Sequence, residues 1–220
     1  MYPLKRLTIL CGHYGSGKTN VAVGIATELK KSRDSVTVAD LDIVNPYFRT
    51  KDSAAFFEEQ GIRLICSAYA NSNVDIPALP QEMYALTDDR SMTAVLDIGG
   101  DDRGALVLGR LAPKILAEGD YEMLMVINCY RPLTSDAEST IEVMREIETA
   151  CGIRITGLVN NSNLGAETTA ENVLNSVPYA NEVSSLSGLP LCMTSVEKRL
   201  FDALSGKIPN LFPLELQKKL

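Results

Sequence analysis

The sequence predicts an α/β protein, a three-layer sandwich built on a mostly parallel sheet. Short apolar runs bounded by Gly, Pro, Asn or Asp alternate with segments of helical periodicity along nearly the whole chain. The runs lack strict polar–apolar alternation, as strands do when helices cover both faces of their sheet. Alternation repeated this often joins neighbouring strands in parallel through right-handed crossovers.

Residues 7–11 form an apolar first strand, and a Gly-rich turn separates it from a helix over 18–31. The run 36–39 is the second strand, ending in an acidic pair, and 53–60 the next helix. A short strand at 63–66 precedes a helix at 81–86. The run 93–98 is a strand followed by two glycines, and 105–117 has helical periodicity. The pattern repeats with a strand at 123–128 and a helix at 135–150, then a strand at 153–159 and a helix at 168–177. A strand at 189–193 and a helix at 196–204 close the alternation. The tail 208–220 carries Leu211, Phe212, Leu214 and Leu216; Pro209 and Pro213 interrupt it, so it is expected to pack on the body rather than act as an amphipathic anchor.

At 220 residues and 23.9 kDa the chain suits one well-buried domain, expected to span residues 1–220. The net charge of -7 argues against nonspecific nucleic-acid binding, which relies on Lys and Arg neutralising phosphates. Trp is absent and aromatics are 6%, so base or sugar stacking is not expected as a main activity. Five widely spaced cysteines, Cys11, Cys66, Cys129, Cys151 and Cys192, have neither metal-site spacing nor an even count. They are expected to stay reduced, most of them packed as small hydrophobes. With no signal-peptide pattern and no apolar run of membrane-spanning length, a cytoplasmic location is expected, with no membrane binding.

The strongest motif is Gly12-His13-Tyr14-Gly15-Ser16-Gly17-Lys18-Thr19, a complete G-x-x-x-x-G-K-[ST] with a strand before it and a helix after it. Its glycines let successive N–H groups converge on phosphate oxygens, and the following helix adds its positive end. Lys18 is expected to bridge the terminal phosphates and the Thr19 hydroxyl to ligate Mg²⁺, with Ser16 and Asn20 beside the phosphates. This is the signature of the P-loop NTPase fold. Asp97, near the end of the 93–98 strand, is placed to steady the hydration shell of Mg²⁺, and Gly99 and Gly100 then allow close approach to a γ-phosphate. Asp40 and Asp42 end the second strand and point the same way, with Leu41 opposite. Either could face the site; Asp42 is favoured for orienting or deprotonating the attacking water, and Asp40 for a role near the magnesium.

The P-loop, the Asp40–Asp42 pair, the Asp97 strand and the later Gly157-Leu158-Val159-Asn160 resemble the MinD/ParA group of P-loop ATPases, which includes the nitrogenase iron protein and the CobQ/CobB amidoligases. The resemblance covers roughly residues 7–204. It implies slow ATP hydrolysis with Lys18 and Asp42 as catalytic residues, Mg²⁺ held with the help of Thr19 and Asp97, and Asn160 on the base edge. It also implies a nucleotide-dependent homodimer acting on a protein partner, which the sequence does not identify. The stretch Asn160-Asn161-Ser162-Asn163 lacks the Lys and Asp of an N-K-x-D guanine motif, so ATP is preferred and GTP stays open. His13 stands where many members have a lysine that reaches across the dimer, and a neutral imidazole cannot supply that fixed charge. Arg49 and Arg103 are candidate replacements. Tyr47 and Phe48, after the Asn45-Pro46 turn, fit either a partner contact or packing beneath the next helix. Rival readings are an ATP-dependent ligase or synthetase resembling CobQ/CobB or dethiobiotin synthetase, a P-loop kinase, and a metal-centre assembly GTPase. The kinase would want an Arg-bearing lid, for which the sequence offers no candidate.

Overall fold

In a computed structural model the chain is described over residues 2–41, 53–66, 81–99 and 102–216, with backbone alone at Gln81, Asp102 and Arg103. Among these residues eight parallel strands form one sheet: β1 (Leu7–Cys11), β2 (Val36–Leu41), β3 (Arg63–Cys66), β4 (Thr93–Ile98), β5 (Tyr121–Ile127), β6 (Gly157–Asn160), β7 (Leu191–Glu197) and β8 (Leu211–Leu214). Their order is β3-β2-β4-β1-β5-β6-β7-β8. The helices are α1 (Lys18–Lys30), α2 (Ala54–Glu59), α3 (Gln81–Asp88), α4 (Asp102–Glu118), α5 (Ala137–Cys151), α6 (Ala170–Asn175), α7 (Val177–Ser187) and α8 (Lys198–Leu204).

The three layers arise from side-chain alternation along buried strands. Leu7, Ile9 and Cys11 of β1, Ala94, Leu96 and Ile98 of β4, and Met123, Met125 and Ile127 of β5 pack with α3, α4, α5 and α7. The intervening Leu10, Val95, Leu124 and Val126 pack instead with α1, α2 and the C-terminal strand β8. Asp40 and Asp97 occupy the positions between residues of the first cluster, so both fall on the α1 face. At the opposite end of the sheet Arg6 is buried against Glu118 and also donates to the carbonyls of Leu86, Asp89 and Met92, tying β1 to α3 and α4.

Three elements differ from expectation. The strand at 153–159 begins only at Gly157; Ile153 and Ile155 are buried, but Ile155 N–H donates to the Glu148 carboxylate rather than to a neighbouring strand. The helix α7 is absent from the sequence reading, which ends a helix at 177; Pro178 sits in the first turn of α7, where its missing N–H costs nothing. The tail does pack on the body, and does so as a strand: β8 pairs in parallel with β7 and accepts Pro213 because it lies at the sheet edge. Among the described residues no helix is long and apolar enough to cross a membrane. The five cysteines, all described, form no disulfide, and burial pushes the Cys11 and Cys151 thiols up, which keeps them protonated.

Candidate functional site

The turn between β1 and α1 can only be made by glycine. Gly12, Gly15 and Gly17 have φ of 136°, 77° and 88°, in the region that side chains avoid. Space is also closed: a Cβ on Gly12 would lie 2.4 Å from the Val126 carbonyl oxygen, and one on Gly17 would lie 2.2 Å from Asn161 Nδ2. The loop closes on itself through Ser16 N–H donating to the His13 carbonyl at 3.2 Å, while Lys18 Nζ donates to that same carbonyl at 3.3 Å. Lys18 and Ser16 are buried, and Tyr14 is exposed. His13 Nδ1 lies 3.0 Å from the Tyr14 carbonyl.

The acidic side of the site comes from two neighbouring strands. The Thr19 hydroxyl donates to Asp97 Oδ2 at 2.8 Å. Asp97 and Asp40 are register partners across β4 and β2, and both are buried. Two carboxylates and a hydroxyl converging on one face form an all-oxygen donor set, which suits a hard divalent cation. Ser16 Oγ in the loop and Asn20 Oδ1 in the first turn of α1 are buried polar atoms with no hydrogen bond, as expected of groups kept for a polar ligand. The residues present therefore fit a magnesium-bound phosphate chain. Among the described residues no group of three His, Cys, Asp or Glu side chains could hold a metal ion by itself. Asp42, Gly100, Arg49, Tyr47 and Phe48 lie outside the described residues, as does the side chain of Arg103.

The opposite side is built from asparagines. Asn160 is fully buried; its Nδ2 donates to Ser176 Oγ at 2.9 Å and its Oδ1 accepts from Ser162 N–H at 3.2 Å. Its amide is thus engaged inside the protein. Its neighbour Asn161 reaches the loop instead, with Nδ2 donating to the Ser16 carbonyl at 2.7 Å and Oδ1 accepting from Ser195 at 2.8 Å. Asn163 caps this loop by donating to the Asn161 carbonyl and accepting from Gly165 N–H. Asn128, at the end of β5, accepts from the backbone N–H groups of Tyr130 and Asn163. A chain from β7 through β6 therefore braces the phosphate loop. The base-edge role of Asn160 is what the family resemblance implies; an asparagine-rich run carries no signal of which residue turns toward the loop.

Sequence reading also missed Arg131. From the turn after β5 its Nε donates to the Gly15 carbonyl at 2.9 Å.

No family model matches the chain, and no curated protein matches it. Solved structures do. FtsY from Thermotoga maritima aligns with a TM-score of 0.59 at 17% identity, over 89% of this chain and 62% of that one. Chloroplast FtsY from Physcomitrella patens gives 0.56 at 15% identity, over 88% and 58%. The signal recognition particle 54 kDa protein of Aeropyrum pernix, in complex with GDP, gives 0.53 at 16%, over 88% and 41%. The chain has the P-loop NTPase fold. It spans about three-fifths of the two FtsY chains. At these identities the likeness is one of architecture.

Proposed function

We propose that residues 1–220 form one P-loop NTPase unit that binds a magnesium–nucleoside triphosphate and works as a slow switch on a protein partner. The observation that carries the reading is the hydrogen bond from Thr19 to Asp97. It sets the hydroxyl that closes the phosphate loop against a buried carboxylate on the adjacent strand, the pairing that a hydrated divalent cation beside a triphosphate requires. Thr19 would hold the metal directly, with Asp97 and Asp40 acting on its water shell. When bound, magnesium would offset charge on the phosphate oxygens. Lys18 supplies a fixed positive charge, the loop amides bind phosphate oxygens, Asp42 orients the attacking water, and Gly100 lets the backbone approach the γ-phosphate.

The finer assignment is a MinD/ParA-type ATPase that dimerises with nucleotide bound. It rests on the motif order and on the absence of an N-K-x-D sequence at 160–163. Exposed Tyr14 in the loop and Leu133 beside Arg131 support a partner-facing rim. One observation favours a second reading, in which the base is guanine: the structures similar in fold include two in complex with GDP. Titrating the chain with Mg·ATP, Mg·ADP and Mg·GTP while following its size in solution separates these. Triphosphate-dependent dimerisation with ATP alone supports the first, and GTP preference the second. Lys18→Ala should abolish binding, and Asp42→Ala should spare binding while slowing hydrolysis. Unchanged binding and turnover in Lys18→Ala would refute the site.

A further inference from the structure

The turn after β5 lays a guanidinium along the phosphate loop. Arg131 Nε donates to the Gly15 carbonyl at 2.9 Å, and a Cβ on Gly15 would lie 3.4 Å from that nitrogen and 3.6 Å from Arg131 Cδ. The backbone that carries Arg131 is held from several directions. Arg131 N–H donates to the Asn128 carbonyl, Thr134 N–H donates back to the Arg131 carbonyl, and the Thr134 hydroxyl donates to the Asn128 carbonyl as well. Cys129 N–H is held by Ser162, and Pro132 starts a 3-10 turn of three residues, Pro132–Thr134. The side chain is therefore set over the loop by a rigid corner of the sheet.

Among the described residues its charge is uncommitted. The chain has 28 Asp and Glu residues, yet Arg131 enters none of the ion pairs among the described residues. Of its guanidinium N–H donors, only the one on Nε is used within the described residues. Partial burial against a phosphate loop, without a carboxylate, suits an arginine that forks onto an anion.

We propose that Arg131 is a phosphate-binding residue of this site, a second cation outside the loop where Lys18 is the first within it. The inference rests on the P-loop reading above and deepens it. The positive charge that His13 does not provide comes from the same chain, so triphosphate binding does not need a second copy. Fixing Gly15 and contacting the phosphates are then two uses of one side chain: Nε holds the loop and the terminal nitrogens face the anion.

The test uses the full chain and Arg131→Ala, Arg131→Lys and Arg131→Gln, with affinities for Mg·ATP, Mg·GTP and Mg·ADP measured calorimetrically at two salt concentrations and two protein concentrations. A charge-assisted hydrogen bond lost to phosphate predicts about a 10- to 100-fold weaker triphosphate affinity in Arg131→Ala. The variant should also show a shallower salt dependence, and Lys should restore more binding than Gln. A loop brace alone predicts that Lys and Gln restore binding about equally, because both can still donate to the Gly15 carbonyl. Affinity in Arg131→Ala within about twofold of the unaltered chain, or rescue by Gln as complete as rescue by Lys, overturns the assignment while leaving the phosphate site intact. Triphosphate bound by the unaltered chain while it is still a monomer in solution is the expected result, and binding found only in a dimer overturns the claim that one chain suffices. If the unaltered chain binds none of the three nucleotides, the P-loop reading falls, and this inference with it.

Discussion

Asn161 is the keystone of the neutral side of the site, and its removal can be worked through. The side chain is 4% exposed, donates to the Ser16 carbonyl at 2.7 Å and accepts from Ser195 at 2.8 Å. Asn161→Ala removes both bonds, each worth about 1 kcal/mol net. The two partners do not suffer equally. Ser195 Oγ already lies 3.4 Å from the Asn160 carbonyl and can turn to it, whereas the Ser16 carbonyl loses its side-chain donor in a buried loop. Adding the cost of that orphaned acceptor gives a total of about 2–4 kcal/mol. For a chain of this size that is a fall in Tm of about 5–15 °C, read by calorimetry or circular dichroism. Asn161→Asp keeps the shape but sets an acceptor against the Ser16 carbonyl and buries a charge, so it should cost more than Ala. Ser195→Ala alone should cost about 1 kcal/mol. The double variant Ser195→Ala/Asn161→Ala should cost less than the sum, because the shared bond is counted twice. Each variant that lowers Tm should also weaken nucleotide binding, since the loop amides lose their fixed direction. Asn161→Asp with the Tm and nucleotide affinity of the unaltered chain would refute the brace.

Two further outcomes test other parts of the structure. Gly104→Ala drives a Cβ to 2.7 Å from Gly99 N and 2.8 Å from Gly99 Cα, backbone that comes after Asp97 and cannot rotate away. The overpacking should cost about 1–3 kcal/mol and displace the loop after Asp97, lowering hydrolysis; urea unfolding and turnover check the two effects separately. Glu122 accepts from Lys5 N–H and Thr8 Oγ1 beneath the sheet, and burial holds its carboxyl above the ordinary carboxylate range despite those bonds. A raised folded-state pKa means that the group stabilises the fold below its unfolded value of 4.5 and that this contribution is lost as pH rises through the folded value. Glu122→Gln should therefore gain on the unaltered chain in Tm as pH rises above 4.5, and a difference that does not change with pH would count against the assignment.

How much of this was legible in the sequence divides along chemical lines. β1, the glycine turn and the start of α1 can be read directly, because positive φ at three positions leaves glycine as the only economical residue. Asp97 was legible because a lone carboxylate in a strand otherwise apolar has to be explained by something at the strand end. α7 and β8 were not. Each contains a proline that local rules read as an interruption, and tertiary position reverses the meaning: first helical turn in one case, sheet edge in the other. Phe212 and Leu214 of β8 press against Gly24 of α1, where a Cβ would meet Leu214 Cδ2 at 2.5 Å, a contact between opposite ends of the chain that no local pattern announces. Arg131 and Asn161 escaped for the same reason. Nothing in Tyr130-Arg131-Pro132 or in Asn160-Asn161-Ser162 states that β5 and β6 stand next after β1 in the sheet, and only that order brings them to the loop.

Strand order also sorts the chemistry. In an all-parallel sheet every strand ends at the same edge, so the residues at and beyond the strand ends line up in the order of the sheet rather than the order of the chain. To one side of β1 stand β4 and β2, whose last turns carry Asp97 and Asp40. To the other stand β5, β6 and β7, which bring Arg131, Asn161 and Ser195 toward the loop, none of the three acidic. The phosphate loop lies on the boundary between them. On the proposed reading a metal cation would be drawn to one flank and a phosphate chain to the other, with Lys18 and the loop amides between the two, which favours one orientation of the pair. That polarity is why Thr19 meets Asp97 while Gly15 meets Arg131. Exchanging the flanks by placing a carboxylate at 131 would set repulsion against the phosphates. Arg131→Glu should therefore weaken triphosphate binding more than Arg131→Ala does, and equal losses in the two would show that the loop senses no field from that side.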